Sequence, residues 1–183
     1  RYFPYTTLFR SGLYSLAAAD LMGNGHQDII TSDGTVWLGD GAGNFIAAAT
    51  VPAAASVAIA DIDGDGKPDL IEAYCTNQIA VLLNTTQPGD STPSFAAPVY
   101  FNTGNGSMDV VVADLNGDGV PDIAVLDSGI NAVDVLINTT VQGGSPANVT
   151  FSVFQSFAAG TSVNSVAAAD LNEIGRASCR VRV

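Results

Sequence analysis

Short apolar runs alternate along this chain with clusters of Gly, Asp, Asn and Ser, and no segment sustains a helical period beyond about ten residues. The runs recur in a fixed order. The first is built of small and β-branched residues and ends in aspartate: SLAAAD (15–20), SVAIAD (56–61), DVVVAD (109–114) and SVAAAD (165–170). A Gly/Asp/Asn loop follows, then a second run, DIIT (28–31), DLIEAY (69–74) or DIAVLD (122–127), rich in Ile, Leu and Val. After a turn comes a third, Thr35–Leu38, Gln78–Leu83 and Ala132–Ile137. The fourth is less regular but carries a phenylalanine each time: Phe45, then Phe95 with Val99-Tyr100-Phe101 beyond it, then Phe151 with Val153-Phe154. Runs of this length, bounded by turn residues, predict strands.

The leading aspartates, Asp20, Asp61, Asp114 and Asp170, are spaced 41, 53 and 56 residues apart, which makes this a repeat protein. Four short strands per unit predict an all-β fold of propeller blades: a partial β-propeller with three four-stranded blades and the start of a fourth. A sandwich would fit the strand lengths but gives no reason for a repeating loop. The units run over about 12–54, 55–106 and 107–162, with a stub at 163–172. The similar segments NTTQPGDSTP (84–93) and NTTVQGGSPAN (138–148) read as surface connections within a blade, and Asn84, Asn105, Asn138 and Asn148 head Asn-x-Ser/Thr sequons.

The loop is DIDGDGKPD at Asp61–Asp69, DLNGDGVPD at Asp114–Asp122 and, in weaker form, DLMGNGHQD at Asp20–Asp28; a fourth copy starts at Asp170-Leu171-Asn172. Calcium takes six to eight oxygens in flexible geometry, so the loop must turn sharply while aiming side-chain oxygens inward. Positions 1, 3, 5 and 9 supply them, and position 7 adds a backbone carbonyl. The second unit offers Asp61, Asp63, Asp65 and Asp69 with the Lys67 carbonyl, and Gly64 and Gly66 free the backbone to turn. The third offers Asp114, Asn116, Asp118 and Asp122 with Val120. The first offers Asp20, Asn24 and Asp28 with His26, but Met22 stands where a ligand belongs. Charge count ranks affinity in the order second, third, first. Glu72, twelfth counting from Asp61, also completes an EF-hand pattern, but Pro68 biases Lys67 toward extended backbone and the following run reads as strand, not helix.

Hydrophobic content of 47% marks a globular chain, and a net charge of −12 argues against a nucleic-acid partner. Five of the six basic residues lie at the extreme ends, and those ends have their own signature. Pro4–Ser11 is what CCC TAC ACG ACG CTC TTC CGA TCT encodes, a string that resembles a common sequencing adapter, and its reverse complement in another frame encodes Ile174–Arg180. Residues 1–11 and 173–183 therefore read as adapter-derived and non-native; the alternative is a genuine amphipathic N-terminus and a genuine basic C-terminus. Between them the chain keeps all but one of its 18 acidic residues and, of the basic ones, only Lys67. So lopsided a charge repels itself unless cations bind. Setting aside Cys179 leaves Cys75 alone, so no disulfide is expected, and Cys75 reads as a small buried residue of a strand. No signal peptide or membrane-spanning run is visible in the sequence.

The motif A-D-[LI]-[ND]-G-D-G-x-P-D-[LI] resembles the FG-GAP or VCBS-type repeat of integrin alpha-subunit propellers and of many large secreted bacterial proteins, and the likeness covers nearly all of residues 12–172. The resemblance implies propeller blades with calcium loops between their first two strands, on one rim. It also implies a secreted or cell-surface location and a role in adhesion or in recognition of carbohydrate or protein. No catalytic set assembles from the residues. His26 is the sole histidine and is expected to give its backbone carbonyl while its ring faces water, and Trp37 reads as blade core. The expectation is a non-enzymatic calcium-binding module; the alternative is an accessory region of a secreted hydrolase or lyase whose catalytic domain lies elsewhere.

Overall fold

The computed structural model describes residues 15–143 and 149–169 and the backbone of 178–182. Three four-stranded antiparallel sheets follow one another, each in chain order. The first holds β1 (Leu16–Ala19), β2 (Asp28–Thr31), β3 (Thr35–Gly39) and β4 (Phe45–Thr50). The second holds β5 (Ser56–Ala60), β6 (Asp69–Ala73), β7 (Gln78–Leu82) and β8 (Val99–Asn102). In the third are β9 (Ser107–Ala113), β10 (Asp122–Asp127), β11 (Ala132–Leu136) and β12 (Gln155–Ala158); β13 (Ser165–Ala169) then pairs with β14 (Ser178–Arg182). Residues 1–11, the loop start at Asp170-Leu171-Asn172, Asn148 and the rest of 173–183 lie outside the described residues.

The sheets stack as blades because their middle strands are apolar on both faces. In β6, Leu70 points with Val57, Ala80 and Leu82 toward the first blade, where Leu21, Ile30 and Val36 meet them. Ile71 and Ala73 point the other way, with Ile79 and Val81, onto Val110, Ile123, Val125 and Leu136 of the third blade. A strand covered on both sides loses the polar–apolar alternation of a half-buried one, which is why DLIEA reads as a nearly unbroken apolar run. The ring of Phe101 meets that of Phe151 edge-on at 4.9 Å across the same interface. The first strands of successive blades lie side by side. Residues at the same repeat position join them laterally: Ser56 Oγ donates to Asp109 Oδ1 at 2.8 Å and Ser165 Oγ to Asp109 Oδ2 at 3.0 Å. Around these residues, with Ser15, Cys75 and Met108, opens a cavity of about 590 Å³ at the rim opposite the aspartate loops.

Three expectations need correction. Phe95 and Phe151 make only single bridges, to Asn84 and Asn138; the fourth strand of the second unit is the Val99-Tyr100-Phe101 run, at β8, but that of the third forms beyond Phe154, at β12. The chain first makes an excursion closed at its base by Thr85 N–H to Ser94 O (2.8 Å) and Thr139 N–H to Thr150 O (2.9 Å). Cys75 is exposed, not buried: β6 ends at Ala73, and Cys75 turns the chain at φ 58 while its N–H donates to Ser107 O at 2.7 Å. The connections that start at Asn84 and Asn138 are not simply surface; Asn84, Thr86, Asn138 and Thr140 are buried.

Acidic side chains are also buried away from the loops. Glu72 is only 1% exposed, toward the far end of β6, and accepts a hydrogen bond from the Tyr74 hydroxyl. Burial pushes its carboxyl up to about 7. Asp127 and Asp134, on one face of the third blade, both accept from the Gly104 N–H, at 3.0 and 2.5 Å, and the Asp127 Oδ1 atom has no hydrogen-bond partner among the described residues. Burial raises the Asp127 carboxyl, and the neighbouring Asp134 raises it further.

Candidate metal centre

Each aspartate loop joins the first strand of a blade to the second, in registers that place Ala19 opposite Asp28, Ala60 opposite Asp69 and Ala113 opposite Asp122. Closely similar internal bonds shape all three, the third loop differing in one amide. Position 1 takes amides from across the turn: Asp20 accepts from Asn24 N–H (3.0 Å) and Gly25 N–H (2.6 Å), Asp61 from Asp65 N–H (3.1 Å) and Gly66 N–H (2.9 Å). Asp114 accepts from Gly117 N–H (2.6 Å) and Gly119 N–H (2.9 Å). Those amides hold the Asp114 carboxyl below its ordinary range, the Gly119 contact foremost. Position 5 takes the amide of position 7: Asn24 from His26, Asp65 from Lys67 and Asp118 from Val120, at 2.8 to 2.9 Å. Short polar side chains bonding their own backbone are what Asp and Asn contribute to tight turns.

In the second loop these turns bring Asp61, Asp63 and Asp65 together, with one oxygen from each within 4.8 Å of the others. Two ligands at 2.3–2.6 Å from one calcium are separated by at most about 5 Å, so the three carboxylates fit a single hard cation. Asp63 is nearly buried, and desolvation raises its carboxyl, helped by the charges of Asp65 and Asp61. Unpaired anions so close repel, and a divalent ion would relieve that. Among the described residues, the Lys67 ammonium pairs with Asp65, at 3.3 Å on the surface. In the third loop Asn116 Nδ2 instead donates to Asp118 Oδ2 at 2.8 Å, so a neutral ligand lowers the charge there.

Position 9 has a structural task beside the one its sequence spacing implies. Asp28, Asp69 and Asp122 are buried, and both oxygens of each accept backbone amides. Asp69 takes Ile62 N–H and Asn84 N–H, Asp122 takes Leu115 N–H and Asn138 N–H, and Asp28 takes Leu21 N–H and Gly39 N–H, all at 2.8 to 3.0 Å. Burial raises all three carboxyls, that of Asp69 to about 7. Each oxygen keeps a second lone pair, but its first task is to fasten position 2 to the third strand. His26 is exposed, and one edge of its ring lies against Gly41, where an added Cβ would come within 2.9 Å of it. Glu72 sits in β6 and bonds the hydroxyl of Tyr74 just beyond the strand, which removes it from the loop and from any EF-hand geometry.

Sequence reading missed Asn84 and Asn138. Each donates its side-chain amide to two carbonyls, Asn84 to Leu21 O (2.9 Å) and Pro68 O (3.1 Å), Asn138 to Ile62 O (2.9 Å) and Pro121 O (3.1 Å). The signal was present as the repeated N-T-T, whose final threonine amide bonds back to the asparagine oxygen at 2.9 Å in both units. The same letters spell a glycosylation sequon, and burial of both asparagines at 3% and 5% exposure gives them a structural role instead.

Successive four-stranded antiparallel sheets, each with an Asp/Asn/Gly loop between its first two strands, define an all-β repeat protein built of propeller-like blades. The family model for the FG-GAP-like repeat matches residues 20–72 and 61–125, two overlapping stretches that together span more than half of the chain, and the chain belongs to that family. Comparison with curated proteins gave no match. Among the described residues no helix is long and apolar enough to cross a membrane.

Proposed function

We propose that this chain is a calcium-binding β-propeller repeat module of a secreted or cell-surface protein, acting in adhesion or in recognition of a carbohydrate or protein ligand. The observation that carries the calcium reading is the convergence of Asp61, Asp63 and Asp65 on one turn. Asp61, Asp63 and Asp65 would hold the ion, with the Lys67 carbonyl and Asp69 completing the set; Asp114, Asn116, Asp118, Val120 and Asp122 would form a second site. Asp20, Asn24, His26 and Asp28 would form the weakest. The ion supplies charge neutralisation and rigidity, and the acidic balance of the chain fits a module that works where calcium is abundant. Nothing in the arrangement calls for nucleic acid, and ligand recognition falls to surfaces that the rigid blades present. Membership of a repeat family and the engagement of the loop aspartates in turns support a non-enzymatic role.

Calcium is expected to raise the melting temperature of the protein, and Asp61→Ala with Asp65→Ala to remove most of that gain. A cation held at a hundredfold excess over its dissociation constant stabilises by about 2.7 kcal/mol, enough to move a melting curve by several degrees. Identical melting in calcium and in chelator would sink the reading.

A further inference from the structure

The two buried asparagines lie between consecutive aspartate loops, not beside one of them. Asn84 divides its amide between Leu21 O, position 2 of the first loop, and Pro68 O, position 8 of the second. Asn138 does the same between Ile62 O of the second loop and Pro121 O of the third. Each also donates its own backbone N–H to position 9 of its own unit, at 2.8 Å. Position 2 is where a pull on the backbone is felt by the ligands. Ile62 lies between Asp61 and Asp63, its side chain is fully buried between blades, and its N–H is fixed to Asp69 at 2.8 Å.

Around the second loop the third blade adds two more bonds. Gln142 Nε2 donates to Ile62 O at 3.2 Å, and Gly143 N–H donates to Asp63 O at 2.6 Å. The carbonyls on both sides of the position 2–position 3 peptide are therefore held by the following blade. In the preceding unit Gln87 turns back onto Thr85 O instead, so the first loop has the Asn84 bond without the added clamp. The loop with the richest carboxylate set is also the one most firmly gripped.

We propose that Asn84 and Asn138 are positioning residues that staple successive cation loops together, so that the sites fill cooperatively and each ion tightens the seam to the next blade. The inference rests on the calcium reading above. A loop whose carbonyls are already fixed gives up less freedom on binding, which raises affinity. By reciprocity, an ion that orders Asp61–Asp69 strengthens the bonds from Asn138, Gln142 and Gly143 by the same factor. The first blade is consistent with this logic: Gly39 stands where the later units have asparagine and keeps only the backbone bond to Asp28, at 3.0 Å.

The test is a calorimetric calcium titration of the full chain, with amide hydrogen exchange read in parallel. Asn138→Ala is expected to weaken the tightest site by about tenfold and to flatten a cooperative isotherm, although Asn138 is not among the ligands. Gln142→Ala, a surface change that leaves folding intact, is expected to weaken it less and in the same direction. In the parent, calcium is expected to slow exchange at Thr140 and Gly143; in Asp61→Asn/Asp65→Asn it should not. Parent-like affinity in both Asn138→Ala and Gln142→Ala would overturn the inference, as would calcium protection of Asp65 and Lys67 amides that stops short of Thr140 and Gly143. Should Asn138→Ala not fold, Gln142→Ala and the exchange pattern decide. A parent that takes up no calcium fails the calcium reading itself, whereas failure of the inference alone leaves the parent titration in place.

Discussion

In chelator, raising the pH from about 5 to about 8 is expected to destabilise this protein, the reverse of what salt-bridged carboxylates produce. Glu72 is 1% exposed with only the Tyr74 hydroxyl beside it, and its carboxyl is pushed from 4.5 to about 7 by burial. A carboxyl with a raised value in the fold binds its proton more tightly folded than unfolded. The stabilisation is complete below the unfolded value of 4.5 and is lost as pH rises through about 7. For Glu72 alone a shift of that size is on the order of 3 kcal/mol. Asp127 acts in the same sense, raised by its own burial and by Asp134 across the shared Gly104 amide. No cation offsets either group: among residues whose side chains are described, Lys67 and His26 both belong to the aspartate loops at the other rim. Asp40 and Asp114, held low by amide contacts, oppose the trend on acidification, but Asp40 is exposed and Asp114 only half-buried, so solvent screens both and their effect is small. Glu72→Gln isolates the cause. Its denaturation midpoint is expected to exceed the parent's at about pH 8 and to fall at or below it at about pH 5, because the added amide needs a buried acceptor. An unchanged difference between the two pH values would refute the assignment.

How much of this was legible in the sequence depends on the range of the interaction. The first three strands of each unit follow from local pattern, and β2 and β10 begin and end where the apolar runs do. The turn of the loop is equally local, since Asp61, Asp63 and Asp65 bond amides two to five residues away. What escaped is what blades do to one another. Spacing marks position 9 as a ligand but cannot show that Asn84, 15 residues on, also bonds one of its oxygens. Asn138 reaches Ile62 across 76 residues, a contact with no signature except the recurrence of N-T-T. Cys75 followed an apolar run and so looked buried, but β9 of the next blade captures its amide through Ser107 and turns the chain outward. The fourth strand of the third unit was misplaced for a related reason: Phe151, like Phe95, makes an isolated bridge at the base of an excursion, and the strand forms only after it, at β12.

Gly34→Ala is expected to be among the most damaging single substitutions in the first blade, costing about 2–4 kcal/mol. Gly34 turns the chain from β2 to β3 at φ +84, and an added Cβ would lie 2.1 Å from the Val51 carbonyl oxygen, a backbone atom that cannot swing away. Two costs combine. The left-handed conformation alone costs an L-residue about 1–2 kcal/mol. The clash then forces apart a contact in which Gly34 O accepts Val51 N–H at 2.8 Å, while Gly34 N–H donates to Thr31 O at 2.8 Å. Gly43→Ala separates the two, because Gly43 has a similar φ of +91 with nothing within 4 Å of the added Cβ, so it carries the conformational cost without the clash. The excess of the first variant over the second measures the contact. That contact matters beyond the turn, since Val51 opens the crossover to the second blade, whose next anchors are Ala54 N–H to Ser32 O at 2.8 Å and Ala55 N–H to Ala73 O at 2.6 Å. Displacing Val51 loosens the path by which the first blade is laid against Val57 and Leu70. The seam between the first two blades is therefore expected to gain amide exchange in Gly34→Ala and to stay protected in Gly43→Ala; equal stability losses in the two variants would show that the close approach of Val51 carries no weight.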